Sequence, residues 1–382
     1  MTTAAENTRG LENVVVTATK LSAINGVAGQ LSYAGYPISE LAGRASFEEV
    51  CYLLWYGDLP NATQLRDFTA RLRAEATLSP AELALVRSVP SAGHGMDALR
   101  TLVSGLAQLD PHADELSMEG AERIGLRLTA KMPALITAWH RLRTGREPVA
   151  PHAGLGHAAN LLWMLHGQEP SPTAAHAFDC YMVLLAEHGL NASTFAARVA
   201  IGAQADIYCA VVGAIGTLKG LLHGGANQKA METFLAIGTP NNAAPFIEGL
   251  LARHERLMGV GHRIYKVEDP RVRHLRAQVQ ALAGEATGPW QAVADAVGRV
   301  IAEHPHFTRR QLAPNVEFYS APLLHLLGLP LDLFTCAFAA SRIGGWMGHI
   351  REQIEDNRLI RPKADYNGPA PRSFRPLAER AV

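Results

Sequence analysis

Two loops set a histidine among glycines: Leu222-His223-Gly224-Gly225-Ala226-Asn227 and Gly259-Val260-Gly261-His262-Arg263. Glycine admits close backbone approach and positive φ, so a histidine there can face a small ligand instead of a core. Two such loops within forty residues point to imidazoles that polarise a bound molecule or pass it a proton. In Pro314-Asn315-Val316-Glu317-Phe318-Tyr319-Ser320 a carboxylate sits between apolar neighbours that would raise its pKa and make it a usable base. Its place at a helix start also fits a contact with the helix dipole. Asp269-Pro270-Arg271 follows the second loop, and Arg342 lies inside an apolar C-terminal segment, where a guanidinium needs an anionic ligand or an ion-pair partner.

Other patterns carry less. Gly154-Leu155-Gly156-His157-Ala158-Ala159 matches a dinucleotide fingerprint, but Pro148 to His152 offers no strand before it. His304-Pro305-His306 and the pair His152/His157 lack an HExxH frame and a carboxylate at ligand spacing, so no metal site is expected. Neither a Walker A loop nor a GxSxG elbow occurs.

The elements that must hold these residues are mainly helical. Val14 to Ile38, rich in Val, Thr, Ser, Tyr and Gly with an Asn25-Gly26 turn, reads as a small antiparallel β region. Helices are expected over Phe47–Trp55, Ala62–Ala74, Met96–Leu106, Met118–Leu142, Ala174–Glu187 and Ile207–Leu218, then over His274–Leu282, Trp290–Ala302 and Leu331–Ile350. Ser46 with Glu49 forms a capping-box pattern, and Ser79-Pro80 and Ser171-Pro172 put proline at a first helical position. The segment Ile207–Leu218 is apolar on nearly every side, so other helices or a second subunit must cover it. Between about Gly220 and Gly328 the composition shifts toward Gly, His, Arg and charged helices. A large domain built from 1–222 and 328–382, interrupted by an inserted small domain over 223–327, explains that order.

The chain has 382 residues and balances 35 Lys+Arg against 35 Asp+Glu, which argues against a nucleic-acid or anionic-membrane partner. At 48% hydrophobic and 18% charged it has material for a large core. Only six basic residues are lysine and 29 are arginine, which fits bidentate anion recognition or a compositional bias. Four cysteines lie far apart with no CxxC, as in a reducing compartment. The polar stretch Met1–Gly10 lacks an apolar leader, and the longest apolar run is too short to cross a bilayer, so a cytoplasmic location is expected.

Side by side, these segments resemble the citrate synthase family. The likeness runs from Arg9-Gly10-Leu11-Glu12 and Tyr33-Ala34-Gly35-Tyr36, through Ala186-Glu187-His188-Gly189-Leu190-Asn191-Ala192-Ser193-Thr194, to Glu355-Asp356-Asn357-Arg358-Leu359-Ile360-Arg361-Pro362. It implies a mainly α, two-domain citrate-synthase-like helical fold and a homodimer built on helices. It implies condensation of acetyl-CoA with oxaloacetate, with the coenzyme A thioester as substrate and no cofactor or metal. By resemblance His223 stabilises the enolate of acetyl-CoA, His262 polarises the keto oxygen of oxaloacetate, and Glu317 takes the place of the family's aspartate base. Arg271, Arg342 and His188 would hold oxaloacetate in one subunit, with Arg361 reaching in from the other. Met258, Gly259, Val260 and Gly261 resemble the loop that contacts adenine, and Lys266 a cation that meets the phosphates.

Two departures stand out. Glu317 is one methylene longer than the family's aspartate, which alters reach more than proton affinity. Ser91-Ala92-Gly93-His94-Gly95-Met96 replaces Ser-Ala-His-Pro-Met, shifting His94 by one residue. Tyr319-Ser320-Ala321 in place of Tyr-Ser-Gly leans toward a 2-methylcitrate synthase, which uses propionyl-CoA. The other alternative is a catalytically weak paralogue acting as a ligand sensor or dimer partner.

Overall fold

A computed structural model describes residues 9–11, 14–284 and 288–380. Glu12 and most of the polar N-terminal stretch lie outside the described residues. The β region forms as expected, with β1 (Ser22–Asn25), β2 (Gln30–Tyr33) and β3 (Tyr36–Pro37) antiparallel in that order. Ser22 pairs with Tyr33 and Asn25 with Gln30, which leaves Gly26 to Gly29 as the hairpin tip. There the Asn25 side chain accepts the Ala28 N–H at 3.0 Å.

The helix punctuation works as the sequence indicates. Ser46 and Glu49 close a reciprocal capping box on the helix Phe47–Tyr56, Ser79 and Glu82 do the same for Pro80–Ser88, and Ser171 caps Pro172–Leu185. The helix Met118–Arg143 runs straight through Pro133. The segment expected to be helical over Ala174–Glu187 stops at Leu185, because Glu187 is taken into hydrogen bonds with the β region. Leu331–Leu333 is a separate 3-10 turn, and the helix after it runs from Phe334 to Glu355, five residues past the expected end.

That last helix is the axis of the fold. It packs against Phe47–Tyr56, Met118–Arg143, Pro172–Leu185, Ala192–Gly202 and Ile207–Leu218, and its side chains from Phe334 to Arg351 are all buried. Gly345 lets the chain at Ala186 approach closely: a Cβ there would overlap the Ala186 carbonyl oxygen, which accepts the Gly345 N–H at 3.1 Å. The helix Ile207–Leu218 is covered by Gly95–Gln108, Ala192–Gly202 and Phe334–Glu355, yet Cys209 and Gly213 on its far side remain exposed. Past Glu355 the chain runs as an exposed tail through Arg361, with Leu359, Tyr366, Phe374 and Leu377 at the surface. No described helix is long and apolar enough to cross a membrane.

Candidate active site

His223 lies in the turn between the helices Ile207–Leu218 and Ala226–Ile237. Its Nε2 stands 2.8 Å from the Ser193 hydroxyl and accepts the Ser193 backbone N–H at 3.4 Å, which leaves the ring proton on Nδ1. The Ser193 hydroxyl is fixed in turn by the Trp346 indole N–H at 3.1 Å. Burial, aided by the Arg342 charge, pushes the pKa of His223 down to about 4, so it is a neutral donor at pH 7.

His262 is anchored on its other nitrogen. Its Nδ1 accepts the backbone N–H groups of Ile264 at 3.0 Å and Tyr265 at 3.2 Å, so Nε2 carries the proton. Burial and Arg271 lower its pKa to about 4 against the opposing pull of Asp269. The His188 ring meets it edge-on at 5.4 Å, and His188 Nε2 is 3.1 Å from the Tyr265 hydroxyl. Burial holds the His188 pKa well below the usual histidine value, helped by the charges of Arg271, His262, Arg342 and His223. Five of the expected site residues therefore share one electrostatic neighbourhood.

The two internal arginines are held differently. Arg271, buried at the start of the helix Val272–Leu282, is gripped bidentately by Asp269 at 2.9 and 2.6 Å. Arg342 donates from Nε to the Leu185 carbonyl at 2.6 Å and lies 4.8 Å over the Phe338 ring, whose edge faces His223. It has no ion-pair partner among the described residues, and burial lowers its pKa to about 10, still a cation at neutral pH. A fixed guanidinium without an ion-pair partner, beside neutral imidazoles and in the field of Glu187, has the chemistry to receive a carboxylate.

Glu317 stands in the first turn of the helix Val316–Leu326, as the helix-start reading expects. Its helix is stitched to both histidine loops. Asn315 donates from its side chain to the Gly261 carbonyl at 2.8 Å and from its backbone to Gly259 at 3.0 Å, while Ser320 reaches Asn227 at 3.3 Å. The residue is half-buried, and protein encloses its carboxyl closely enough that burial raises its pKa. Arg271 and Arg342 pull the other way and Asp269 adds to the rise. The arrangement can abstract a weakly acidic proton while neutral histidine donors receive the charge that develops on oxygen.

The glycine loop has a structural reason of its own. Gly259 and Gly261 hold φ of +82° and +84°, and a Cβ on Gly259 would stand 3.2 Å from the Phe318 Cα. Met258 and Val260 are partly buried beside it. Next to the loop opens a cleft of about 340 Å³ lined by His262, Tyr265, Lys266, Arg310, Leu312 and Pro314 among others. Lys266 is exposed at its rim.

Among the described residues no hydrogen bond or ion pair joins exposed Arg361 to this cluster, although the Arg358 carbonyl and Ile360 just before it lie against Gly202. His94 caps the helix Gly95–Gln108 and meets Gln228, in the first turn of the helix that follows the His223 loop, at 3.2 Å. Sequence reasoning missed Tyr265, Ser193, Trp346 and Arg310. Ser193 was within reach, since it belongs to the motif that contains His188, whereas Tyr265, Trp346 and Arg310 carry no local signal. It also missed Tyr181, whose fully buried hydroxyl has no hydrogen-bond partner among the described residues and lies in the field of Glu317 and Arg342. Among the described residues no three His, Cys, Asp or Glu side chains form a group that would hold a metal ion.

Residues 10–363 match the family model described as citrate synthase, C-terminal domain. The chain is 44% identical over 378 residues to citrate synthase 2 of Bacillus subtilis, covering 98% of this chain and 99% of that one. It is 39% identical over 378 residues to 2-methylcitrate synthase 1 of Corynebacterium glutamicum, covering 97% and 98%. Its fold superposes with a TM-score of 0.91, at 28% identity and 99% and 100% coverage, on citrate synthase of Thermoplasma acidophilum in ternary complex with carboxymethyl coenzyme A and oxaloacetate.

Proposed function

The chain belongs to the citrate synthase family, and from that premise we propose how its cleft condenses acetyl-CoA with oxaloacetate. Glu317 takes a proton from the acetyl methyl group while the Nδ1–H of His223 receives the developing enolate oxygen. The enolate carbon attacks the keto carbon of oxaloacetate, whose oxygen takes a proton from the Nε2–H of His262. Water then hydrolyses the thioester, releasing citrate and CoA. A thioester α-proton is far too weakly acidic for a free carboxylate, so the raised pKa of the base and the oxyanion donors must act together.

Arg271, Arg342 and His188 hold the two carboxylates of oxaloacetate, with Arg361 of the partner subunit completing the set. The loop Met258–Gly261, Lys266 and the adjoining cleft take coenzyme A, and Arg310 in the cleft wall adds a second cation for its phosphates. The observation that supports this reading is that the helix carrying Glu317 is bonded to both glycine loops, through Asn315 to Gly261 and through Ser320 to Asn227.

The homodimer, the insert over 223–327 within 1–222 and 328–382, and a cytoplasmic location belong to the same reading. The open apolar side of Ile207–Leu218 and the exposed tail support a dimer, and four free cysteines support a reducing compartment. Propionyl-CoA is the second reading, favoured by full-length similarity to a 2-methylcitrate synthase and by buried Ala321 near the base. Release of free CoA thiol from acetyl-CoA and from propionyl-CoA, each with and without oxaloacetate, tests both. The proposal expects oxaloacetate-dependent release with a higher kcat/KM for acetyl-CoA; a higher kcat/KM for propionyl-CoA moves the assignment to 2-methylcitrate.

A further inference from the structure

The β1–β2 hairpin touches both segments that carry the oxaloacetate histidines. At its base, the Ser22 hydroxyl donates to the Glu187 carboxylate at 2.9 Å and accepts the Gly189 N–H at 3.1 Å. The Tyr33 hydroxyl meets the carbonyls of Leu184 at 3.1 Å and Glu187 at 2.8 Å and accepts the Glu187 N–H at 3.3 Å. These bonds fix the chain on either side of His188. At its tip, the Gly26 carbonyl accepts the Lys266 N–H at 2.9 Å. A Cβ on Gly26 would overlap the Ile264 carbonyl oxygen and stand 2.8 Å from its carbonyl carbon, and one on Gly29 would stand 2.8 Å from Val267 Cγ2. The tip therefore presses backbone to backbone on residues 264–267. Two N–H groups of that segment, from Ile264 and Tyr265, orient His262, and the Tyr265 hydroxyl meets His188.

We propose that the hairpin Ser22–Tyr33 is a strut that sets the spacing between His188 and His262, with Gly26 as its positioning residue. The inference rests on the assignment of those histidines to oxaloacetate. A hairpin paired along β1 and β2 and bonded at both ends resists compression in a way a loop does not. Gly26 is outside the left-handed region, so alanine suits the hairpin's own backbone and conflicts only with the docked segment. A carbon and a carbonyl oxygen settle no closer than about 3.3 Å, so a methyl group at Gly26 must drive Ile264 and the His262 anchor back by about 1 Å.

The test pairs Gly26→Ala with Val27→Ser, a control at the 77% exposed tip. Hydrogen exchange over 262–268 and steady-state kinetics are measured for both. In Gly26→Ala exchange over 262–268 should speed up, and kcat should fall on the order of 100-fold, the cost of a displacement of about 1 Å, a larger factor than any rise in the KM for acetyl-CoA through the displaced Lys266. Val27→Ser should match the wild type in both. Wild-type kinetics in Gly26→Ala, whatever its exchange, would overturn the proposal. If Gly26→Ala fails to fold, the wild-type Lys266 amide decides: exchange much slower than at Val27 supports the strut, and equal exchange overturns it. Absence of oxaloacetate-dependent turnover in the wild type would instead strike at the assignment of the reaction, which the exchange data do not address.

Discussion

One methylene separates Glu317 from the aspartate of the family motif, and the surroundings of Glu317 turn that difference into measurable chemistry. Burial raises its pKa, while burial with Arg342 pushes the His223 pKa down to about 4 and burial with Arg271 does the same for His262. A base with a raised pKa is lost by protonation at a higher pH than an ordinary carboxylate. The kcat/KM profile for acetyl-CoA should therefore show one acid limb above the unperturbed glutamate value of about 4.3, with no histidine limb near neutrality. A limb near 6.5 that disappears in His262→Asn would show instead that a histidine titrates in the working range. Shortening the base tests reach: Glu317→Asp draws the carboxylate back by about 1.5 Å, and kcat should fall on the order of 100-fold with oxaloacetate affinity unchanged. Undiminished kcat in that variant would mean the backbone is not placed for glutamate.

At the scale of elements, the site depends on how closely the segment Ala186–His188 lies on the helix Phe334–Glu355. Gly345→Ala should push that segment away and destabilise the protein by about 1–3 kcal/mol, read as a lower denaturation midpoint with an unchanged slope. A midpoint within error of the wild type would mean the contact is easily relieved. Much of this level was legible in sequence, because local chemistry decides it. Ser46 with Glu49, Ser79-Pro80 and Asn25-Gly26 announce the ends and turns they make, and the span Ile207–Leu218 coincides with its helix. The early stop at Leu185 was not legible, since Tyr33 and Ser22 compete for Glu187 from about 150 residues away. In the site, glycine loops and an arginine in an apolar helix mark His223, His262 and Arg342. Tyr265 and Trp346 act only through tertiary contacts and leave no such mark.

At the scale of the whole molecule, the account needs two subunits. Arg361 is exposed just past Ile360, which lies against Gly202, and the helix Ile207–Leu218 has an uncovered side, so each site should borrow its third guanidinium from the partner. Random mixing of Glu317→Gln with Arg361→Ala chains places intact Glu317 and intact Arg361 in one site of each mixed dimer. About a quarter of the wild-type activity should then return, whereas a residue acting within its own subunit would restore none. The charge balance of the chain fits this picture, because Arg342 is left without an ion-pair partner among the described residues where a small dianion is expected while Asp269 and Arg271 are paired beside it. The central claim is that Glu317 is the base of an oxaloacetate-dependent condensation. It is tested most directly by CoA thiol release from acetyl-CoA in the wild type and in Glu317→Gln, with oxaloacetate binding followed by calorimetry. The account predicts release only when oxaloacetate is present, and its loss in Glu317→Gln with oxaloacetate binding intact. Continued release by Glu317→Gln, or none from a wild-type protein that binds oxaloacetate, would contradict it.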